Sequence, residues 1–342
     1  MLTKKQILEI RLFLKKSKNP LFFFDDDPDG LAAALTLKKT INRGHIIPLK
    51  VSQFDEGVYI RKVQEYNPDV VFILDRAVVS QNVFDQINVP VVWIDHHEPI
   101  ERYKVHYYNP MVLDKEDNRS TSFWAYQIAE KNMWIAMVGI IGDWYIPPFI
   151  KKFSYKKLLN NKKTPPAIIF DSDFGKLIRL FTLILKGQTK DVNQSLMALE
   201  KITSPHQILR KTTKEGKYLY ERYEKIDKEY QLLYQNAQES DEPGDPYVFT
   251  YPSTKTSFTS ILSNELLYRM TNHQTFIIAR LKDNEYRLSI RSKKQPILPI
   301  LKKALLQVRG YGGGHPLACG AAINKDDFSK FLNIFRQELA SV

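Results

Sequence analysis

Three short apolar runs in the first hundred residues each stop at an acid. The first ends in Phe24-Asp25-Asp26-Asp27-Pro28-Asp29-Gly30, the second in Ile73-Leu74-Asp75, the third in Trp93-Ile94-Asp95-His96-His97. Each pattern predicts a buried strand with ionisable groups at its C-terminal end. Between them lie helical stretches: the Ala- and Leu-rich segment after Gly30, and about Gly57 to Tyr66 following a strand at about Ile46 to Val51. This alternation is the βαβ rhythm of a parallel sheet. Ligands of such sheets bind outside the carboxyl ends of the strands. Carboxylates crowded at one point repel each other unless a cation lies among them, so a divalent metal site is the expectation.

The residue types support it. Asp25, Asp27 and Asp29 alternate with Asp26 and Pro28, which in extended chain puts the three on one side and Asp26 on the other. Carboxylate oxygens suit Mg²⁺ or Mn²⁺, and imidazole beside carboxylate favours Mn²⁺ or Zn²⁺ over Ca²⁺. The apolar run from Trp134 to Ile141, closed by Gly142-Asp143, is expected to place a further ligand at a fourth strand end.

The chain has 342 residues, enough for two domains. No run approaches the roughly 18 apolar residues of a membrane span. The N-terminus reads as an amphipathic helix, not a signal peptide, because Glu9, Arg11, Lys15 and Lys16 interrupt any apolar core. The lone Cys319 excludes an internal disulfide and a Cys-based zinc finger. A cytoplasmic location without membrane contact is expected. The net charge is +12, of which +7 lies in residues 245–342, with 14 Lys/Arg against 7 Asp/Glu. Such an excess attracts polyanions. A second basic stretch carries Lys151-Lys152, Lys156-Lys157 and Lys162-Lys163.

A long helical pattern covers residues 206–238, and the turn-rich Ser240-Asp241-Glu242-Pro243-Gly244-Asp245-Pro246 breaks the chain after it. The expected organisation is a metal-binding domain at 1–205, a connector helix at 206–240 and a smaller α/β domain at 241–342. In the last, Tyr247 to Thr250, Thr275 to Leu281 and Tyr286 to Arg291 read as strands. Leu298 to Val308 and Phe328 to Leu339 read as helices. Gly310-Tyr311-Gly312-Gly313-Gly314-His315 reads as a loop whose backbone N–H groups form an anion nest. His315 adds a hydrogen bond to a phosphate there, and Arg291 a bidentate contact.

Together these segments resemble the DHH phosphoesterase superfamily, whose naming triplet stands here as Asp95-His96-His97, with Asn109-Pro110 following. The segment from Gly310 to Ala318 resembles the glycine-rich signature of the associated DHHA1 domain, with Ser289-Ile290-Arg291-Ser292 as its facing strand. The whole is similar to the short, archaeal-type RecJ-like nucleases. The resemblance implies an α/β fold with an N-terminal parallel-sheet DHH domain. It implies two Mn²⁺ or Mg²⁺ ions held by Asp27, Asp29, Asp75, His96 and Asp143, with Asp75 bridging and a contact at Asp25. His97 is implied to contact the scissile phosphate, with Asp95 orienting a histidine. Arg291, Gly312, Gly313, Gly314 and His315 are the implied substrate contacts. Arg76, where relatives often carry a small or polar residue, receives no role. The implied activity is a metal-dependent exonuclease on single-stranded DNA or RNA. A nanoRNase-like enzyme for short oligonucleotides or cyclic dinucleotides is the alternative, and a Cdc45-like replisome scaffold the non-enzymatic one. A replication or repair protein is a further partner the resemblance admits, for which the sequence carries no marker.

Overall fold

The apolar runs do form the strands of a parallel sheet. The structure, a computed structural model, describes residues 1–50, 56–253 and 256–341. It divides into two compact units, Met1–Tyr223 and Glu224–Val342.

The first unit opens with α1 (Lys4–Lys16), capped by Thr3 in a reciprocal box with Gln6. Then follow β1 (Pro20–Asp25), α2 (Pro28–Ile41), β2 (His45–Leu49), α3 (Gly57–Tyr66), β3 (Val70–Leu74), α4 (Gln81–Gln86), β4 (Val91–Ile94) and β5 (His106–Tyr108). Val51, the expected end of the second strand, lies outside the described residues. The strand order is β2-β1-β3-β4-β5, all parallel. Because β1 connects to β2 on one side while β3 lies on its other side, the order reverses between β1 and β3. That is where open α/β sheets bind their ligands.

Both faces of the sheet are covered, as an all-parallel sheet requires. Leu21, Phe23, Val71, Ile73 and Trp93 pack with Tyr59 of α3 and Val83 and Phe84 of α4. The alternate residues point the other way, where Phe22 and Phe72 stack at 4.8 Å. Full burial of each such side chain contributes about 1.5–3 kcal/mol. On that face α2 packs against α5 (Thr121–Ala129) and α6 (Met133–Gly142). The approach is close: a Cβ on Gly139 would lie 2.5 Å from Ser122 Oγ and 2.8 Å from Ala32 Cβ.

The run from Trp134 to Ile141, expected as a strand, is therefore a helix. Its residues from Trp134 to Ile141 are all buried. A helix apolar on every side and a buried strand carry the same hydropathy, so periodicity could not separate them. Beyond it lie α7 (Pro165–Asp171), α8 (Asp173–Ile184) and α9 (Thr189–Lys201). The pattern over 206–238 resolves into α10 (Pro205–Leu209) and α11 (Lys214–Glu239), and the division between units falls inside α11.

The second unit holds β6 (Tyr247–Pro252), α12 (Thr259–Arg269), β7 (Thr275–Lys282), β8 (Glu285–Ser292), α13 (Leu298–Leu305), β9 (Gly310–His315), β10 (Ala318–Asn324) and α14 (Phe328–Ala340). Its sheet runs β6-β7-β8-β10-β9, with only β6 and β7 parallel. Ile277, Leu288, Ile290 and Ile323 face Leu301, Phe331 and Phe335 in its core. The glycine-rich segment is corrected here: it is the edge strand β9, paired with β10 from Gly310 to His315, not a loop. Extended backbone alternates its N–H groups, so no nest forms. Gly314 alone in it has positive φ, at 138°.

Candidate metal centre

The C-terminal ends of β1, β3 and β4 lie side by side, and each delivers an acid. Asp25 is the last residue of β1. Asp75 follows β3 directly; its N–H donates to Ile94 O at 2.9 Å, and its φ of 60° turns it out of the strand direction. A non-glycine residue in that region costs of order 1–3 kcal/mol, and such residues cluster at functional sites. Asp95 follows β4 and donates its N–H to Tyr108 O at 3.2 Å.

The first acidic cluster turns at once into α2. Asp27 is its N-cap, accepting from Gly30 N at 2.9 Å, and Pro28 opens the first turn. Gly30 is required because a Cβ there would stand 2.7 Å from Asp25 O. Asp29, buried, points at the N-terminus of α5. It accepts from Thr121 N at 2.7 Å, from Ser122 N at 3.0 Å and from Ser122 Oγ. A helix N-terminus is a natural anion site, and it holds this carboxylate fixed. Asp26 points away, as its spacing predicts, and pairs with Lys186 at 3.2 Å.

The histidines diverge. His96 Nδ1 donates to Asn118 O at 2.9 Å, since a carbonyl only accepts. Its Nε2 lies 3.3 Å from Asp75 Oδ1. His97 Nδ1 donates to Asp95 Oδ1 at 2.8 Å, and its backbone N–H donates to Asp95 Oδ2 at 3.1 Å. Asn109 Nδ2 closes the loop by donating to His97 O at 2.8 Å and to Tyr107 OH at 2.9 Å. Asp143, the C-cap of α6, comes within 3.9 Å of His96.

Two overlapping groups result. Ligand atoms of Asp75, His96 and His97 lie within 4.8 Å of one another, and so do those of Asp29, His96 and Asp143. The charges confirm the crowding. Burial, then the charges of Asp75, Asp25 and Asp29, raise the Asp27 carboxyl well above its usual range. Burial and Asp29 push Asp75 up to about 8, against the pull of His96. Burial pushes Asp143 up to about 7, with His96 opposing. For His96 burial acts downward, yet the bond to Asp75 and the charges of Asp143, Asp75 and Asp29 hold it well above the ordinary imidazole value. A donor set this buried and mutually repelling is one that divalent cations fit.

The expected ligands are thus gathered unequally. Asp29, Asp75, His96 and Asp143 converge, and His97 joins them. Asp27 shares their electrostatic field while capping α2. Asp25 is drawn into an ion pair with Arg76. Thr121, which donates to Asp75 at 3.2 Å, and Ser122 are site residues the sequence reading passed over. The N-capping Ser120 was the available signal. Asn118 left none, because its contact is through backbone.

The second unit carries a different feature. Arg291 on β8 is half-buried, and its partners are all neutral: Asn264 Oδ1 at 2.7 Å, Ile290 O at 3.0 Å, Cys319 O and Ser260 Oγ at 3.3 Å. Burial lowers its guanidinium to about 10. Register puts Arg291, Ala318 and His315 in one cross-strand row, on one face of the sheet. The next row holds Ser289, Gly320 and Gly313. A Cβ added to Gly313 meets nothing within 4 Å. Ser260 and Asn264, which hold Arg291, went unread because α12 itself did.

Comparison with known proteins agrees with this architecture. Residues 245–341 match the DHHA1 domain family. The Mn²⁺ complex of Thermus thermophilus RecJ superposes with a TM-score of 0.72 at 15% identity, over 100% of this chain and 55% of that one. The chain carries a DHHA1 domain on a RecJ-type fold. It spans about half the length of that RecJ, 55%. Another exonuclease RecJ, bound to manganese, gives 0.66 at 16% identity, covering 100% of this chain and 96% of its own. A pGpG-specific phosphodiesterase from Vibrio cholerae gives 0.52 at 14% identity, covering 94% of this chain and 99% of its own. No curated protein matches in sequence. Among the described residues no helix is long and apolar enough to cross a membrane.

Proposed function

We propose that this chain is a divalent-metal phosphodiesterase that removes residues from an end of single-stranded DNA or RNA. The observation that carries the reading is the convergence of Asp29, Asp75, His96, His97 and Asp143 at the switch point of the parallel sheet. Asp29, Asp75, His96 and Asp143 would hold Mn²⁺ or Mg²⁺, with Asp27 beside them. Bound there, two such ions supply Lewis-acid charge to a phosphodiester. The chain's own groups supply positioning. Thr121 and Ser122 fix the carboxylates. Asp95 holds His97 with Nδ1 protonated, which leaves Nε2 for a phosphate oxygen or a proton. Arg291 is a half-buried cation with no carboxylate partner among the described residues, and an anionic substrate group satisfies it.

A second reading, cleavage of dinucleotides and very short oligonucleotides, is supported by the mutual coverage of 94% and 99% with the pGpG phosphodiesterase, as the first is by that of 100% and 96% with an exonuclease RecJ. Time courses with end-labelled 15-residue DNA and RNA strands and with a dinucleotide, each with Mn²⁺, with Mg²⁺ and with chelator, separate the two. Metal-dependent shortening of the long strand supports the exonuclease. Turnover of the dinucleotide alone replaces it with the second reading. No turnover of any phosphodiester with either metal overturns both.

A further inference from the structure

Between Asp143 and Asp171 the chain carries six lysines and not one acid. With 38 acids in 342 residues, a stretch of these 27 residues would ordinarily hold about three. The lysines come in pairs, Lys151-Lys152, Lys156-Lys157 and Lys162-Lys163, and all but the half-buried Lys162 are exposed.

The segment is not a loose tail. Two short 3₁₀ turns, Pro148–Lys152 and Lys156–Leu159, shape it. Phe153, Leu158 and Leu159 turn inward and are buried. Phe153 meets Phe174 of α8 edge-on at 5.3 Å, Tyr155 meets His206 of α10 at 5.4 Å, and Asn160 accepts from Asp173 N at 3.0 Å. The inward apolar residues leave the lysines outward. None of the six has a carboxylate partner among the described residues. Elsewhere in the same unit Lys38, Lys62, Lys104 and Lys186 are each paired with an acid.

The segment also starts at the metal centre. Lys151 is eight residues from Asp143. Phe149 stacks on Phe123 at 5.7 Å and meets Tyr126 at 4.8 Å. Both belong to α5, whose first turn holds Asp29. Row and site are thus joined through one rigid helix.

Resting on the activity proposed above, we infer that residues 151–163 form a binding surface for the phosphates of a single strand whose end lies at the metal centre. Flexible lysine ammonium groups suit a backbone of repeated charges without reading bases. A lipid surface fits less well, because Phe153, Leu158 and Leu159, the large aliphatic and phenyl side chains within 151–163, are buried and do not reach a bilayer.

The test is direct binding, measured by fluorescence anisotropy on the full chain carrying Asp75→Ala. The probes are a 15-residue single strand, vesicles containing anionic lipid, and polyglutamate. Lys151→Ala, Lys152→Ala, Lys156→Ala and Lys157→Ala are combined in one variant. Lys4→Ala, Lys5→Ala, Lys15→Ala and Lys16→Ala on α1 form a charge-matched control, and thermal melting checks both folds; a Gln set replaces an Ala set that melts early. The surface predicts about tenfold or greater loss of strand affinity at low salt in the first variant. Its log-affinity slope against log salt should be shallower by about 0.7 for each phosphate no longer neutralised. The control should stay near the parent. Equal losses in both variants, unchanged affinity in the first, or equal binding of vesicles or polyglutamate would overturn the surface. A wild type that binds the strand through these lysines but never shortens it would sink the exonuclease reading and leave the surface standing. A parent that does not bind the strand at all sinks both.

Discussion

Nδ1 of His97 and Oδ1 of Asp95 lie 2.8 Å apart, and Asp95 is wholly buried at the end of β4. A carboxylate so placed fixes both the tautomer and the ring plane of its histidine. Asp95→Asn retains the size of the side chain but removes its charge and one of the two acceptor oxygens that hold His97. Activity should fall by about 10² or more, while metal content by mass spectrometry or atomic absorption stays near wild type. Loss of metal together with activity would instead make Asp95 a ligand support.

Three acids at the centre are raised in the folded chain: Asp27 well above its usual range, Asp75 to about 8 and Asp143 to about 7. The folded, metal-free protein therefore holds more protons than the unfolded chain between roughly pH 4 and 8. Its stability is greatest at the acid side of this window and declines as pH rises through it. Metal must displace these protons, so Mn²⁺ affinity should climb toward pH 8. Calorimetry in buffers of different ionisation enthalpy should show proton release near pH 6.5. A pH-independent affinity would refute this.

Asp75→Ala or His96→Ala should leave less than about a tenth of the activity, as loss of a catalytic metal implies. Without metal, Asp75→Ala should melt no lower than wild type at pH 8, because one of several repelling carboxylates is gone. A variant that retains activity, or that melts well below wild type in chelator, contradicts the role.

In the second unit, Arg291→Lys should weaken binding of a short oligonucleotide nearly as much as Arg291→Ala, because a point charge cannot replace a planar fork. Mn²⁺ affinity should not change. The reverse outcome in calorimetry would exchange the roles of the two units.

Gly312 and Gly313 should behave differently although adjacent. A Cβ on Gly312 stands 2.7 Å from Gly320 O, whereas one on Gly313 meets open space. Gly312→Ala should lower the melting temperature. Gly313→Ala should not, and its effect should appear in substrate binding alone.

The sequence was most legible where chemistry and periodicity coincide. The runs before Asp25, Asp75 and Asp95 gave parallel strands because a fully buried strand is short, apolar and punctuated. Asp143 was found as a site residue for the wrong structural reason: its preceding run is the helix α6, which looks alike in hydropathy. Arg76 could not be read, since its pairing with Asp25 depends on two strands being neighbours. The glycines of β9 suggested a loop by their usual backbone freedom, yet four of that strand's six residues are glycine in a paired edge. What composition suggests about one residue, pairing with Ala318 to Ile323 overrides.

Asp29 has one further consequence. Its bonds to Thr121, Ser122 N and Ser122 Oγ are complete without any cation. The corner of the pocket it forms is accordingly rigid before loading. Cation exchange there should be limited by shedding of the ion's hydration shell, not by rearrangement of the chain. A protein stripped by chelator should recover as fast as it is mixed, with no slow refolding phase.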